Sequence, residues 1–166
     1  LEGGHFLTTT LSAAIIIGAG GASFELICYL VRTQPFLLDT TGLDNHCQPI
    51  ALADVLHYLV SCLDEISTAG GTFDICGPEV LSYRQFLEKT ARLAGTFNLF
   101  IPAPAMPSRM ISRWVGLFSR LDRNIVEALL EGLGTPVVCS DKQIELLIPH
   151  QPLSLDDAIQ KALSQR

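Results

Sequence analysis

A length of 166 residues is that of one ordinary domain, and 48% apolar against 17% charged residues marks a chain that buries a core and is not intrinsically disordered. A net charge of −6 argues against a phosphate-backbone binder, which concentrates lysine and arginine, so no nucleic acid is expected as a partner. No apolar run approaches the ~20 residues that span a bilayer, and no basic n-region with a cleavage site opens the chain, so no membrane partner and a cytoplasmic location are expected.

The low charged fraction predicts that some surface is covered by another domain or subunit. The chain opens at Leu1 and not at methionine, so a processed or excised piece is expected. Cys28, Cys47, Cys62, Cys76 and Cys139 are odd in number and lack C-x-x-C spacing. They read as free, mostly buried thiols and not as a disulfide framework or zinc site.

In chain order, Phe6 to Ile17 is expected to end in a strand. Ala13 to Ile17 is apolar without alternation, as in a parallel strand buried on both faces. Gly18 to Gly21 is the turn. A helix follows from Ser23 with Phe24, Ile27, Cys28 and Val31 on one stripe, and Leu26 and Leu30 make it apolar almost all round. Phe36 to Leu38 and Gln48 to Leu52 read as extended. Asp54 opens a helix with Val55, Leu56, Leu59, Val60 and Leu63 on its expected buried face. Ser67 to Gly71 is a turn and Thr72 to Cys76 a short strand. Ser82 and Gln85 form a capping box for a helix that stops at Gly95. Three prolines keep Phe100 to Pro107 out of helix, and a helical region is expected from Ser108 to Leu133. Val137 to Cys139 reads as a short strand. Ser154 and Asp157 cap a last helix whose stripe is Leu155, Ala158, Ile159, Ala162 and Leu163.

Gly18, Gly20 and Ser23 stand where a G-x-G-x-x-G dinucleotide fingerprint has its glycines, and Asp39 is spaced to accept a ribose hydroxyl. The rest of the chain is too short of strand–helix units to complete that fold. The plainer reading is a strand end turning sharply into a helix beside a pocket. His5, His46, His57 and His150 lack metal-ligand spacing and read as surface or satisfied histidines. Neighbours in an extended segment point to opposite faces, so His46 and Cys47 are not an activated thiol pair. Arg109 and Arg113, one helical turn apart, are either a solvated face or a grip for one anion. Ile111, Trp114, Val115 and Phe118 are core packing or, in a sharper reading, a lid or dimer contact.

Several pieces together resemble the C-terminal half of the atypical, extended short-chain dehydrogenase/reductases, the NAD(P)-dependent epimerase/dehydratase-like group. "LSAAIIIGAGGASFELICYLV" is similar to the family's sixth strand, glycine turn and helix. "CQPIALADVLHYLVSCL" is similar to its extended segment followed by an aspartate and a helix. "GGTFDICGPEVLSYRQFLEKTARLAG" is similar to its seventh strand and next helix. "PSRMISRWVGL" and "PLSLDDAIQKAL" are similar to its tail.

The resemblance implies an α/β fragment of a Rossmann-like NAD(P)-binding protein, with one or two parallel strands and several helices. Residues 1–166 would be a single substrate-binding domain without the cofactor-binding half. It implies NAD or NADP in the full-length protein, with none expected on this chain. Ala13, Ala14 and Ile15 would pass near the cofactor. Gly18, Gly20, Ser23, Phe24, Gln48, Arg113 and Trp114 would face a small-molecule substrate. The missing N-terminal half is an expected partner, and so is a second copy of the fragment, through the unpaired strand edge. Where the family commonly has an arginine before the sixth-strand core, this chain has Ser12, so a pairing with Asp54 would be lost.

The family's Tyr-x-x-x-Lys relay is absent. Thr33, Cys62 and Leu87 stand four residues after Tyr29, Tyr58 and Tyr83. Without the ammonium that tunes the tyrosine, no hydride transfer is expected from this chain alone. The alternatives are a non-catalytic sensor or interaction module of the same fold, and a small self-contained dinucleotide binder using the Gly18–Ser23 turn.

Overall fold

The computed structural model describes residues 7–39, 41–102, 131–132 and 134–165. The apolar run before the glycines forms two strands, β1 (Thr10–Ala13) and β2 (Ile16–Ile17), interrupted at Ala14 and Ile15. Helix α1 (Ala22–Thr33) buries Phe24, Leu26, Cys28 and Val31. It leads to β3 (Phe36–Asp39), then β4 (His46–Cys47), β5 (Ile50–Ala51) and α2 (Leu52–Asp64). Strand β6 (Thr72–Ile75) is followed by β7 (Leu81–Ser82), α3 (Tyr83–Leu93) and β8 (Leu99–Pro102). Two helices close the described chain, α4 (Gln143–Leu147) and α5 (Leu155–Ser164).

The fold is α/β with parallel strands, as the sequence predicts, but it holds more strands than the one or two expected. Parallel pairs join β1 to β6, β2 to β5 and β3 to β8, and β4 pairs antiparallel with β7. The surplus strands are two to four residues long, too short to give a period that sequence reading detects. Burial on both faces also fails for the first run. Ile15 and Ile17 are in the core while Ile16 is 36% exposed.

The caps read from sequence are present. Ser82 accepts from the Gln85 amide and the Gln85 side chain accepts from the Ser82 amide. Helix α3 ends at Gly95, φ +70°, where Thr96 N–H donates to Ala91 and Gly95 N–H to Arg92. That pattern satisfies two orphan carbonyls and needs a left-handed residue. Ser154 caps α5 by accepting from the Asp157 amide at 3.2 Å.

Two apolar clusters form the core. The larger packs Ile17, Phe24, Val31, Phe86, Leu87 and Ile159, so α1, α3 and α5 share it. The smaller packs Ile50, Val55, Tyr58, Phe73, Ile75, Ile144 and Ile148. Helix α2 departs from expectation here. It buries Asp54, Val55 and Tyr58, while Leu56, Leu59, Val60 and Leu63 face outward.

The cysteines are a second correction. Cys76 and Cys139 form a disulfide across 63 residues, with Cα atoms 6.2 Å apart. Sequence spacing gives no sign of a bond that the fold creates by docking a distant segment. Cys28 and Cys47 are buried thiols and Cys62 is half-buried. No helix among the described residues is long and apolar enough to cross a membrane.

Candidate functional site

The carboxyl ends of parallel strands are where open α/β sheets place ligands. Strand β2 leads into Gly18, β5 runs directly into α2, and β6 leads into Cys76–Gly77. These ends are packed together. A Cβ on Gly18 would stand 2.9 Å from the Leu52 side chain, and one on Gly77 would collide with the Pro49 carbonyl, so both approaches require glycine.

Gln48 ties the region together. Its Nε2 donates to the Gly77 carbonyl at 2.7 Å, and its Oε1 accepts from the Cys139 amide at 3.2 Å. The neighbouring backbone adds Gln48 N–H to Val137 O and Val137 N–H to His46 O. Ser140 then donates from its hydroxyl and amide to Asp74, which holds that carboxyl below its ordinary range. The disulfide sits beside these bonds. The segment predicted as a strand at Val137 to Cys139 is thus an exposed strap bridged to β4 at Cys47.

The sequence-derived site residues fall into separate environments. Ala13 pairs with Ile75, Ala14 lies in the strand interruption, and Ile15 is buried with its carbonyl accepting from the Ile50 amide. Gly20 adopts φ +82° at the exposed tip of the turn, and Ser23 is half-buried in the first turn of α1. Phe24 is fully buried and packs in the larger core. Gln48 is 8% exposed with both ends of its amide bonded, so in this structure it clamps the Gly77 and Cys139 segments together. Arg113 and Trp114 lie outside the described residues, as do Arg109 and the stripe from Ile111 to Phe118.

A phosphate cradle at the glycine turn is opposed by two observations. The Gly20 amide already donates to Glu25 at 3.1 Å, and the Gly21 amide to Gly18 O. Asp39, the candidate ribose acceptor, is engaged by the Arg84 guanidinium, which also stacks over Phe100. The Asp39 hydrogen bond raises the Arg84 pKa further. A cavity of about 460 Å³ opens instead between the end of α3 and β8, lined by Glu88, Arg92, Phe97, Asn98 and Phe100 among others.

Sequence reading missed a buried polar cluster on α2. Asp54, 3% exposed, binds His150 Nε2 at 2.8 Å and accepts from the Leu153 amide at 3.1 Å. The His57 ring stacks on His150 at 4.0 Å and the Tyr58 ring meets it edge-on at 5.5 Å. Burial, then the charges of Glu145 and Asp54, push the Tyr58 phenol pKa up. In this chain the partner of the Asp54 carboxylate is His150. A second cluster pins α5: Lys89 bridges Glu79 at 2.8 Å and Asp156 at 2.7 Å, and Glu79 accepts from the Leu155 amide. Burial pulls the Lys89 pKa down, but those two carboxylates outweigh it and the net shift is upward. His46 and Cys47 point apart as expected, the first exposed and the second buried, and burial raises the Cys47 thiol to about 12.

No family model and no curated protein matches the chain. Solved structures do. The chain is similar to RMD from Pseudomonas aeruginosa, complexed with NADPH, at 14% identity and TM-score 0.60, covering 93% of this chain and 46% of that one. It is similar to UDP-glucose 4-epimerase from Thermotoga maritima, with UDP-glucose, at 10% identity and TM-score 0.62, covering 93% and 44%. It is also similar to the terminal R domain from the myxalamid PKS-NRPS biosynthetic pathway, at 15% identity and TM-score 0.63, covering 95% and 43%. The fold is therefore the one these three structures share, and the chain spans less than half the length of each.

Proposed function

We propose that this chain is the substrate-binding portion of an NAD(P)-dependent oxidoreductase or epimerase of the nucleoside-diphosphate-sugar epimerase type. The carrying observation is the asymmetry of the match: 93% of this chain accounts for only 44% of an epimerase with UDP-glucose. The remainder of such a protein would supply a phosphate cradle and the Tyr-x-x-x-Lys relay, the second of which is absent from this sequence. NAD or NADP belongs to that whole protein, with Ala13 to Ile15 beside it. The turn at Gly18, Gly20 and Ser23 is assigned to a small-molecule substrate, and Arg113 and Trp114 are assigned to it on the sequence resemblance alone. A cytoplasmic setting is part of the proposal, and a reducing compartment would then open the Cys76–Cys139 bond.

The occupied Gly20 amide and Asp39 carboxylate support inactivity of the chain alone over a self-contained dinucleotide binder. Calorimetric titration with NADH and NADPH is expected to give no micromolar binding to this chain. A polypeptide carrying the upstream half is expected to contain Tyr-x-x-x-Lys and to oxidise NAD(P)H. Micromolar binding by the chain, or an upstream half without that relay, overturns the reading.

A further inference from the structure

The Cys76–Cys139 bond joins two parts of the fold that are held in different ways. Cys76 is buried and follows β6, whose Phe73 and Ile75 belong to the smaller core. Cys139 is half-buried in a strap, residues 134–142, in which every other residue is exposed. Among the described residues, the two apolar clusters take none from that strap. Polar contacts hold it instead. The Val137 backbone bonds to His46 and Gln48, and the amide and hydroxyl of Ser140 donate to Asp74. Such a segment can leave without uncovering the core, because its opening exchanges hydrogen bonds for water and loses little apolar burial.

Gln48 brings the two cysteine segments together. One end of its amide donates to the carbonyl of Gly77, the residue after Cys76, and the other accepts from the amide of Cys139 itself. The two Cα atoms stand 6.2 Å apart, within the span that a disulfide bridges. Gln48 is carried by the link between β4 and β5 and not by the strap, so this template outlasts the bond and favours its closing again.

We propose that Cys76–Cys139 is a reversible redox latch, set by Gln48 and Ser140, which a small thiol opens to free the strap from β4 and β6 with the core intact. The thiolate of the small thiol attacks Sγ of Cys139, the more exposed of the two residues. The S–S bond breaks, and Cys76 leaves as a thiolate and takes a proton. A second small thiolate attacks the small thiol's sulfur in the mixed disulfide, and Cys139 leaves and is protonated in turn. Two electrons pass to the cysteines, and the two small thiols end as their own disulfide. The latch is independent of the functional reading.

The test places the 166-residue chain in glutathione at set ratios of reduced to oxidised form. Alkylation with peptide mapping separates this pair from Cys28, Cys47 and Cys62 and gives the equilibrium constant of the bond. Hydrogen exchange follows the strap. When the bond is reduced, the amides of Val137, Cys139 and Ser140 are expected to exchange at least about tenfold faster, while Phe86 and Leu87 in α3 keep their rates. Return to oxidised glutathione restores the bond and the protection. Gln48→Met keeps the length of the side chain without its polar ends, and is expected to lower the equilibrium constant at least about tenfold. Ser140→Ala, an exposed change, is expected to lower it about threefold, and it reports on the latch even where Gln48→Met fails to fold. Strap amides that exchange alike in both forms overturn the proposal. So do α3 amides that accelerate with the strap, which would make the bond a staple of the whole fold. An equilibrium constant unchanged in the variants overturns it as well, since these groups would then not set the bond.

Discussion

Helices α3 and α2 have similar lengths and opposite lessons. Helix α3 has charge on one side and buries Tyr83, Phe86, Leu87, Thr90 and Ala91 on the other, between a capping box and a left-handed glycine stop. Helix α2 is apolar nearly all round and lacks a side-chain cap, and its buried stripe holds an aspartate. Where polar residues mark one face, pattern alone decides which way a helix turns. Where they do not, whichever partners arrive from elsewhere decide. For α2 these are Ile144, Ile148, His150 and Leu153, about ninety residues later in the chain. A hydrogen-bonded Asp54 sits inside at the expense of leucines because its carboxylate satisfies an amide and an imidazole there.

The comparison breaks most readily at Phe86. Phe86→Ala leaves a cavity where α1, α3 and α5 meet and is expected to cost about 3–5 kcal/mol in urea unfolding. A loss under about 1 kcal/mol would mean that the larger cluster is not the core. Asp54→Ala is next, at about 3 kcal/mol, since it leaves the Leu153 amide and His150 without their buried partner. An inconsequential Asp54→Ala would restore the leucine face as the buried one.

Alkali offers a third test. Burial lifts Cys47 from 9.0 to about 12, so the folded state keeps a proton that the unfolded state has lost. Stability is full below pH 9 and falls as pH rises toward about 12, by about 1.4 kcal/mol per unit for this thiol. Cys47→Ala is expected to flatten that slope in denaturation curves at successive pH values. Ser82→Ala removes the cap of α3 and is expected to lower stability by about 1 kcal/mol, with the thermal midpoint as readout. The smallest effect is expected at Leu63→Gln, within about 0.5 kcal/mol under monomeric conditions, because that side chain is 84% exposed.

Much of the fold is legible in residues 72–95, where turn, strand, capping box and glycine stop all agree. The last helix is equally clear from Ser154 and the stripe at Leu155, Ala158, Ile159 and Ala162. The site is less legible. The clamp that Gln48 makes has no local signal, because Gly77 and Cys139 reach it from 29 and 91 residues away. His150 lies between Pro149 and Pro152 in an irregular segment, where no periodicity announces a partner for Asp54. A disulfide between cysteines 63 residues apart carries no local signal at all.

By itself the sequence determined where α3 starts and stops and where α5 starts, since caps and a glycine stop act within a turn of the chain and need nothing beyond it. It also determined the α/β class, through a β-branched run ending in glycines ahead of an apolar helix. Tertiary structure alone decided which face of α2 turns inward, that Cys76 meets Cys139, and that Gln48 and Asp54 are fully partnered. Each of those outcomes depends on groups brought together from distant positions, and the free energy of such contacts exists only once the chain has folded.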